Sequence, residues 1–274
     1  MLTILFLGDV VGEPGRSALI ARLPELKQQH GIDFVIANGE NAAAGRGITP
    51  KITIDLLRAG VSVITTGDHI WDQKEVIVFI ETEPRLLRPI NYPDGTPGAG
   101  AVVLETAKGK VGVINVQART FMMPILNNPF PAMEAAVINM RAETPVIVVD
   151  VHGETTSEKM ALGRFLDGRV SAVIGTHTHV QTADEQIFPG GTAFLCDAGM
   201  CGPVHSILGR AVDPIVRRFV SNMPAAFPVA DGEVRLRGAL IEIDEATGQA
   251  RRIVRIDEPG NPATNISTEL QPPR

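Results

Sequence analysis

The sequence predicts an α/β domain built on a largely parallel sheet, and three observations carry that reading. Apolar, β-branched runs alternate with amphipathic segments through the first part of the chain, in a strand–helix–strand–helix–strand rhythm. Of 274 residues, 44% are hydrophobic and 20% charged, enough apolar material for a core without disulfide staples. No linker, internal repeat or low-complexity tract divides the chain. One domain over residues 1–258 is therefore expected, followed by a loose, proline-rich tail over 259–274.

Each element has its own local reason. Residues 2–7 form a nearly unbroken apolar run and predict a buried strand. Residues 16–30 read as helix closed by Gly31, with Pro24 expected to break it into two pieces. Residues 34–37 are the next strand. Thr49 and Pro50 supply an N-cap and an N1 proline for a helix ending before Gly60. Residues 61–65 predict a third strand and 73–81 a short helix. In the middle, 86–90, 101–105 and 111–116 read as strands between Pro/Gly turns, which makes the sheet mixed. Residues 131–141 read as helix, and 145–151 as a buried β-branched strand. Thr155 and Glu158 have capping-box spacing for a helix stopped at Gly168. Residues 170–174 and 192–195 are further strands. Residues 233–244 and 249–257 alternate around Ala246-Thr247-Gly248, a hairpin signal.

Composition narrows the function. There are 25 Lys and Arg against 31 Asp and Glu, a net charge of −6, which argues against a generic basic nucleic-acid binder. The start, MLTILFLGDVVGEPGR, lacks the basic residues of a signal peptide and reads as the first strand. No apolar run reaches the roughly 18 residues of a membrane span. Two cysteines, Cys196 and Cys201, make no disulfide framework, and their spacing is not that of a zinc ribbon. They read as reduced thiols, and the expected location is the cytoplasm.

The chemistry lies just beyond the strands. Asp9 follows ILFLG, Glu40 follows FVIANG, and Asp68 and His69 follow VSVITTG. His152 follows VIVVDV, and His177 and His179 follow AVIG. Residues beyond strand ends of an open α/β sheet meet in one crevice, so this set can converge. Taken singly, each has a plainer reading as a helix cap or a satisfied polar residue. His177 and His179 would even face opposite sides of an extended strand, although a loop can turn both inward. Together they form a carboxylate–imidazole set that suits transition metals better than magnesium or calcium. So many donors exceed one tetrahedral site and fit two metals that hold a hydroxide and clamp a phosphate.

The strings GDVVGEPGR, NGENAAAGRGIT, GDHIWD, DVHGETTSEK and GTHTHVQTADEQI resemble the YmdB-like branch of the calcineurin-like metallophosphoesterases, over residues 1 to about 257. The resemblance implies a four-layer α/β/β/α sandwich of two mixed sheets and hydrolysis of phosphodiesters, 2′,3′-cyclic nucleotides among them. It implies that Asp9, Asn41 and His179 bind one metal, that Glu40 bridges, and that Asp68, His152 and His177 complete the second. His69 would protonate the leaving oxygen, the metals would be iron or manganese, and the chain would self-associate as a homo-oligomer. Val11 stands where the wider superfamily has histidine, and Glu40 where it has aspartate, both as in the branch. Asp68 departs from both, since the motif there is G-N-H.

Other residues keep two readings. Arg46, between glycines, is a solvated arginine or a contact to substrate phosphate. Arg119 and Thr120 are loop residues or part of the crevice lining. Trp71 packs or stacks a base. Two rival functions also stand: hydrolysis of phosphomonoesters or phosphoproteins, and a non-catalytic regulator that binds a nucleotide or RNA through the metal site.

Overall fold

A computed structural model describes residues 1–261. The first sheet contains β1 (Leu2–Leu7), β2 (Asp9–Val10), β3 (Phe34–Asn38), β4 (Val63–Thr65), β11 (Met200–Pro203), β12 (Val234–Ile243) and β13 (Ala250–Pro259). Its order is β2-β11-β12-β1-β3-β4, with β13 along the other edge of β12. The run β1-β3-β4 is parallel, and β12 is antiparallel to both β1 and β13. The second sheet, ordered β5-β6-β7-β8-β10-β9, contains β5 (Ala101–Thr106), β6 (Gly109–Gln117), β7 (Ile147–His152), β8 (Ala172–Thr176), β9 (Gln186–Ile187) and β10 (Ala193–Leu195). Its centre is parallel and its two edge strands are antiparallel.

Strand alternation makes the layers. On β1, Leu5 and Leu7 join Leu19, Leu23 and Leu26 of α1 (Gly12–His30) and Leu56 of α2 (Pro50–Arg58) in one core. Ile4 and Phe6 point the other way and meet Val111, Val113, Val148 and Ile174 of the second sheet. Ile147, Val149 and Val151 then face Met133 and Val137 of α4 (Pro129–Arg141) and Leu162 of α5 (Thr156–Phe165). Three apolar cores between four layers give the α/β/β/α sandwich. Each fully buried Leu, Ile or Phe contributes about 1.5–3 kcal/mol.

Several elements differ from the sequence reading. Helix α1 runs through Pro24 without a break. Leu19, Leu23 and Leu26 form one buried stripe across it, and that burial offsets the hydrogen bond proline removes. The strand expected at 86–90 is only two isolated bridges, at Leu86 and Leu87. There the Arg88 guanidinium holds the carbonyls of Pro89, Thr96 and Pro97 and curls the chain. The helix expected over 73–81 shortens to α3 (Val76–Phe79). The capping box at α5 does not close, because the Glu158 carboxylate accepts from the backbone N–H groups of Arg119 and Thr120. Helix α6 (Val212–Ser221) and strands β2, β9 and β11 had no counterpart in that reading. Pro259 closes β13, and residues 262–274 of the expected tail lie outside the described residues.

Candidate metal centre

The site lies on the seam between the sheets, at the carboxyl ends of their parallel strands. Asp9 sits on β2, Glu40 and Asn41 follow β3, and Asp68 follows β4, all in the first sheet. His152 ends β7, and His177 and His179 follow β8, both in the second. One sheet thus supplies the carboxylates and the other the imidazoles.

Glu40, Asp68, His152 and His177 offer ligand atoms all within 4.8 Å of one another. Three atoms crowd His152 Nε2: Glu40 Oε1 at 3.0 Å, Asp68 Oδ1 at 3.1 Å and His177 Nδ1 at 3.0 Å. Two carboxylate oxygens and two imidazole nitrogens converging on one point are a donor set that fits a transition metal. The other side of the site holds Asp9, Asn41 and His179. Asn41 Nδ2 lies 3.4 Å from Asp9 Oδ1, 3.2 Å from His179 Nε2 and 3.1 Å from Glu40 Oε1. Glu40 therefore stands between the two groups.

Backbone and second contacts set these side chains. His177 has φ 100° and His179 φ 65°, the left-handed region that costs a non-glycine residue on the order of 1–3 kcal/mol. That turn points both rings inward, as an extended strand would not. A Cβ at Gly67 would occupy the space of the His152 ring and the Glu40 carboxylate, so only glycine lets the chain pass there. Behind His152, Thr176 Oγ1 donates to Asp150 Oδ1 at 2.7 Å and lies 2.9 Å from His152 Nδ1. Its only proton being committed, Thr176 accepts from His152 Nδ1–H, and Nε2 is the atom aimed at the cluster. Asp150 also accepts from Thr65 Oγ1 and from Asn38 Nδ2, both bonds crossing between the sheets. Burial pushes the Asp150 carboxyl up to about 6, against these donors and the charge of His152.

The two groups differ electrostatically. Burial alone would raise the Asp68 carboxyl, but hydrogen bonds from His152 and His177 hold it well below the usual range. Burial raises Asp9, which His179 and His152 offset only in part. Burial opposes ionisation of Glu40 too, yet the His152 charge and hydrogen bond bring its carboxyl down. The same carboxylates, Glu40 foremost, hold the His152 imidazolium well above its ordinary range despite burial.

His69 lies at the rim, Nε2 3.7 Å from Asp68 Oδ2 and Nδ1 3.1 Å from Asp72 Oδ2. Arg46 joins it, Nε donating to Asp72 at 2.8 Å. Arg119 and Thr120 do not enter the cavity. Their backbone N–H groups are taken by Glu158, at the start of α5. Trp71 packs edge-on against Tyr92, with ring centroids 5.8 Å apart. Cys196 and Cys201 are free and buried, which pushes their thiols up to about 11 and 12. Asp72, Asp150, Thr176 and Glu154, which lies 3.2 Å from His177 Nε2, were not singled out from sequence. All four lie inside the quoted strings, Asp72 three residues after His69 in GDHIWD, Asp150 and Glu154 two residues either side of His152, and Thr176 just before His177.

A cavity of about 720 Å³ opens from this cluster. Its floor includes Glu40, Asn41, His69, His177 and His179, and its far wall comes from the α6 region. Among the described residues no helix is long and apolar enough to cross a membrane.

The family model described as YmdB-like protein matches residues 5–256. The chain is 48% identical over 255 residues to a 2′,3′-cyclic-nucleotide 2′-phosphodiesterase of Bacillus subtilis (strain 168), covering 93% of this chain and 96% of the relative. A protein of Thermus thermophilus superposes with a TM-score of 0.88 at 40% identity, covering 94% of this chain and 99% of that one. A phosphatase of Mycoplasma pneumoniae superposes with a TM-score of 0.87 at 34% identity, covering 94% of each chain.

Proposed function

The chain belongs to the YmdB-like protein family, and on that premise we propose that it is a metal-dependent phosphodiesterase acting on 2′,3′-cyclic nucleotides. The observation that carries this reading is the convergence of Glu40, Asp68 and His177 on His152 Nε2. In this reading those four residues would hold one metal and Asp9, Asn41 and His179 a second, with the Glu40 carboxylate within reach of both groups. Two such metals, transition metals by the mixed donor set and iron or manganese by the family resemblance, would supply Lewis acidity and neutralise the phosphate charge. Thr176 fixes His152 so that Nε2 would be the atom offered to the cation. Asp72 holds Nδ1 of His69, which leaves Nε2 to hand a proton to the departing oxygen. Arg46, tethered to Asp72, adds positive charge at the rim.

The net charge of −6 favours a small substrate over RNA, the alternative partner. Two buried thiols support a cytoplasmic location. An exposed apolar stripe on α6, Val212, Val216 and Val220, continued by Met223, supports self-association. The test is turnover by manganese- or iron-loaded protein of bis-p-nitrophenyl phosphate against p-nitrophenyl phosphate, with chromatography of the product from 2′,3′-cyclic AMP. The expected results are preference for the diester and a 3′-phosphate product. Preference for the monoester would overturn the assignment.

A further inference from the structure

Of the cavity's two ends, the mechanism uses only the polar one. The other is apolar and aromatic: Ile215 and Phe219 of α6, Phe227 beyond it, and Leu208. Phe219 is 84% exposed and Phe227 41%, unusual for rings on a soluble domain unless something covers them. Ile215, Arg218 and Phe219 of α6 and its C-cap residue Asn222 line the cavity at helical spacing. Phe219 also borders Val212 and Val216 on the apolar side of the helix and is the member of that side that the cavity reaches.

This wall is fixed to the metal cluster by backbone contacts. Arg210 Nη1 donates to the carbonyls of Phe227 at 3.0 Å and Ala44 at 3.1 Å, and Nη2 donates to that of Gly45. His179 Nδ1 donates to the Leu208 carbonyl at 3.0 Å. The volume of about 720 Å³ exceeds what a phosphate alone needs and lies in the range of about 300–1,000 Å³ for sites holding a drug-sized molecule. A ligand matching both ends has an anionic ester at one end and a flat, apolar body at the other.

We propose that α6 and Phe227 form a nucleoside-binding wall, with the base of the substrate against Phe219 and Phe227 and Arg218 and Asn222 at its polar edge. The inference rests on the phosphodiesterase reading and adds to it the part of the substrate that is selected. Base–aromatic contacts are sequence-tolerant, so the wall selects for the presence of a base more than for its identity.

The experiment compares 2′,3′-cyclic AMP with ribose 2′,3′-cyclic phosphate lacking a base, using manganese-loaded wild type, Phe219→Ala, Phe219→Tyr and Phe227→Ala. Thermal midpoint and sedimentation of each variant are measured alongside. Wild type should prefer the nucleotide. Each alanine variant should raise KM for the nucleotide roughly tenfold, with kcat and both constants for the base-free substrate unchanged. Phe219→Tyr should restore the wild-type KM. Equal losses on both substrates, or no base preference in wild type, would overturn the wall. Loss of oligomer in step with loss of activity would assign the rings to a contact between copies and also overturn it. If wild type turns over neither substrate, the phosphodiesterase reading fails, and calorimetric binding of 2′,3′-cyclic AMP decides. Weaker binding by Phe219→Ala then supports the wall, and equal binding refutes it.

Discussion

The two groups of candidate ligands are built by different means. Glu40, Asp68, His152 and His177 converge within 4.8 Å and are backed by Asp150, Thr176 and Asn38, which stand on strands of both sheets. Asp9, Asn41 and His179 stand on a two-residue strand and two loops, and His179 leans on Leu208, itself at φ 51°. Their aspartates are driven in opposite directions: Asp68 is held ionised by two imidazoles, and burial pushes Asp9 toward its neutral form. The first group is organised in advance for a cation. The second has fewer such backing contacts, and burial works against the charge of Asp9. On chelation the metal at Asp9, Asn41 and His179 is therefore expected to leave first, and metal content read against chelator should fall in two steps.

Four substitutions test that contrast. His69→Ala should have the largest effect, about 10²–10⁴-fold in turnover of diesters with poor leaving groups, with both metals retained. Loss of metal would put His69 inside the first group. Gly67→Ala pushes His152 and Glu40 apart and should cost on the order of a hundredfold in turnover, with one metal missing by elemental analysis. Retention of both metals would mean that the first group tolerates displacement and is no more rigid than the second. Thr176→Val removes the acceptor for His152 Nδ1–H and should weaken metal binding roughly 10–100-fold, in the first group only. Equal weakening of both steps would show that the groups are one unit.

Asp68→Asn is the subtlest. A unit charge at about 4 Å is worth on the order of 4 kcal/mol at an effective dielectric near 20, which relaxation of the remaining ligands cuts down. Removing it should loosen the metal of the first group and raise turnover at saturating metal. It should also move the pH–rate profile down by about one unit, because a more positive site favours the deprotonated form of its water. An unchanged profile together with unchanged metal affinity would place Asp68 outside the metal's reach.

Much of the contrast was legible in the sequence, because Asp9, Glu40, Asp68, His152, His177 and His179 each follow an apolar run. The supports were not. Asp150 lies inside VIVVDVH and reads as one more strand residue, since its partners Asn38, Thr65 and Thr176 come from three other strands. Thr155-x-x-Glu158 has the local pattern of a cap, but a longer-range demand, the N–H groups of Arg119 and Thr120, won the carboxylate. Helix α6 was missed although its signal is local: Val212, Ile215, Val216, Phe219 and Val220 recur at i, i+3, i+4, i+7 and i+8 and make one apolar face.

With carboxylates on one sheet and imidazoles on the other, a bound cation is also a fastener across the sandwich. An unfolded chain cannot present this set, so mass action favours the folded form, by about 2.7 kcal/mol at a metal concentration a hundred times its Kd. That gain is concentrated at the seam where the Asn38 amide meets Asp150. Stripping the metal should speed amide hydrogen exchange along β3 and β7, whose ends flank the seam, and leave the outer hairpin of β12 and β13 near its original rate. The cofactor that would serve the chemistry would also set how tightly the two halves of the molecule are held together.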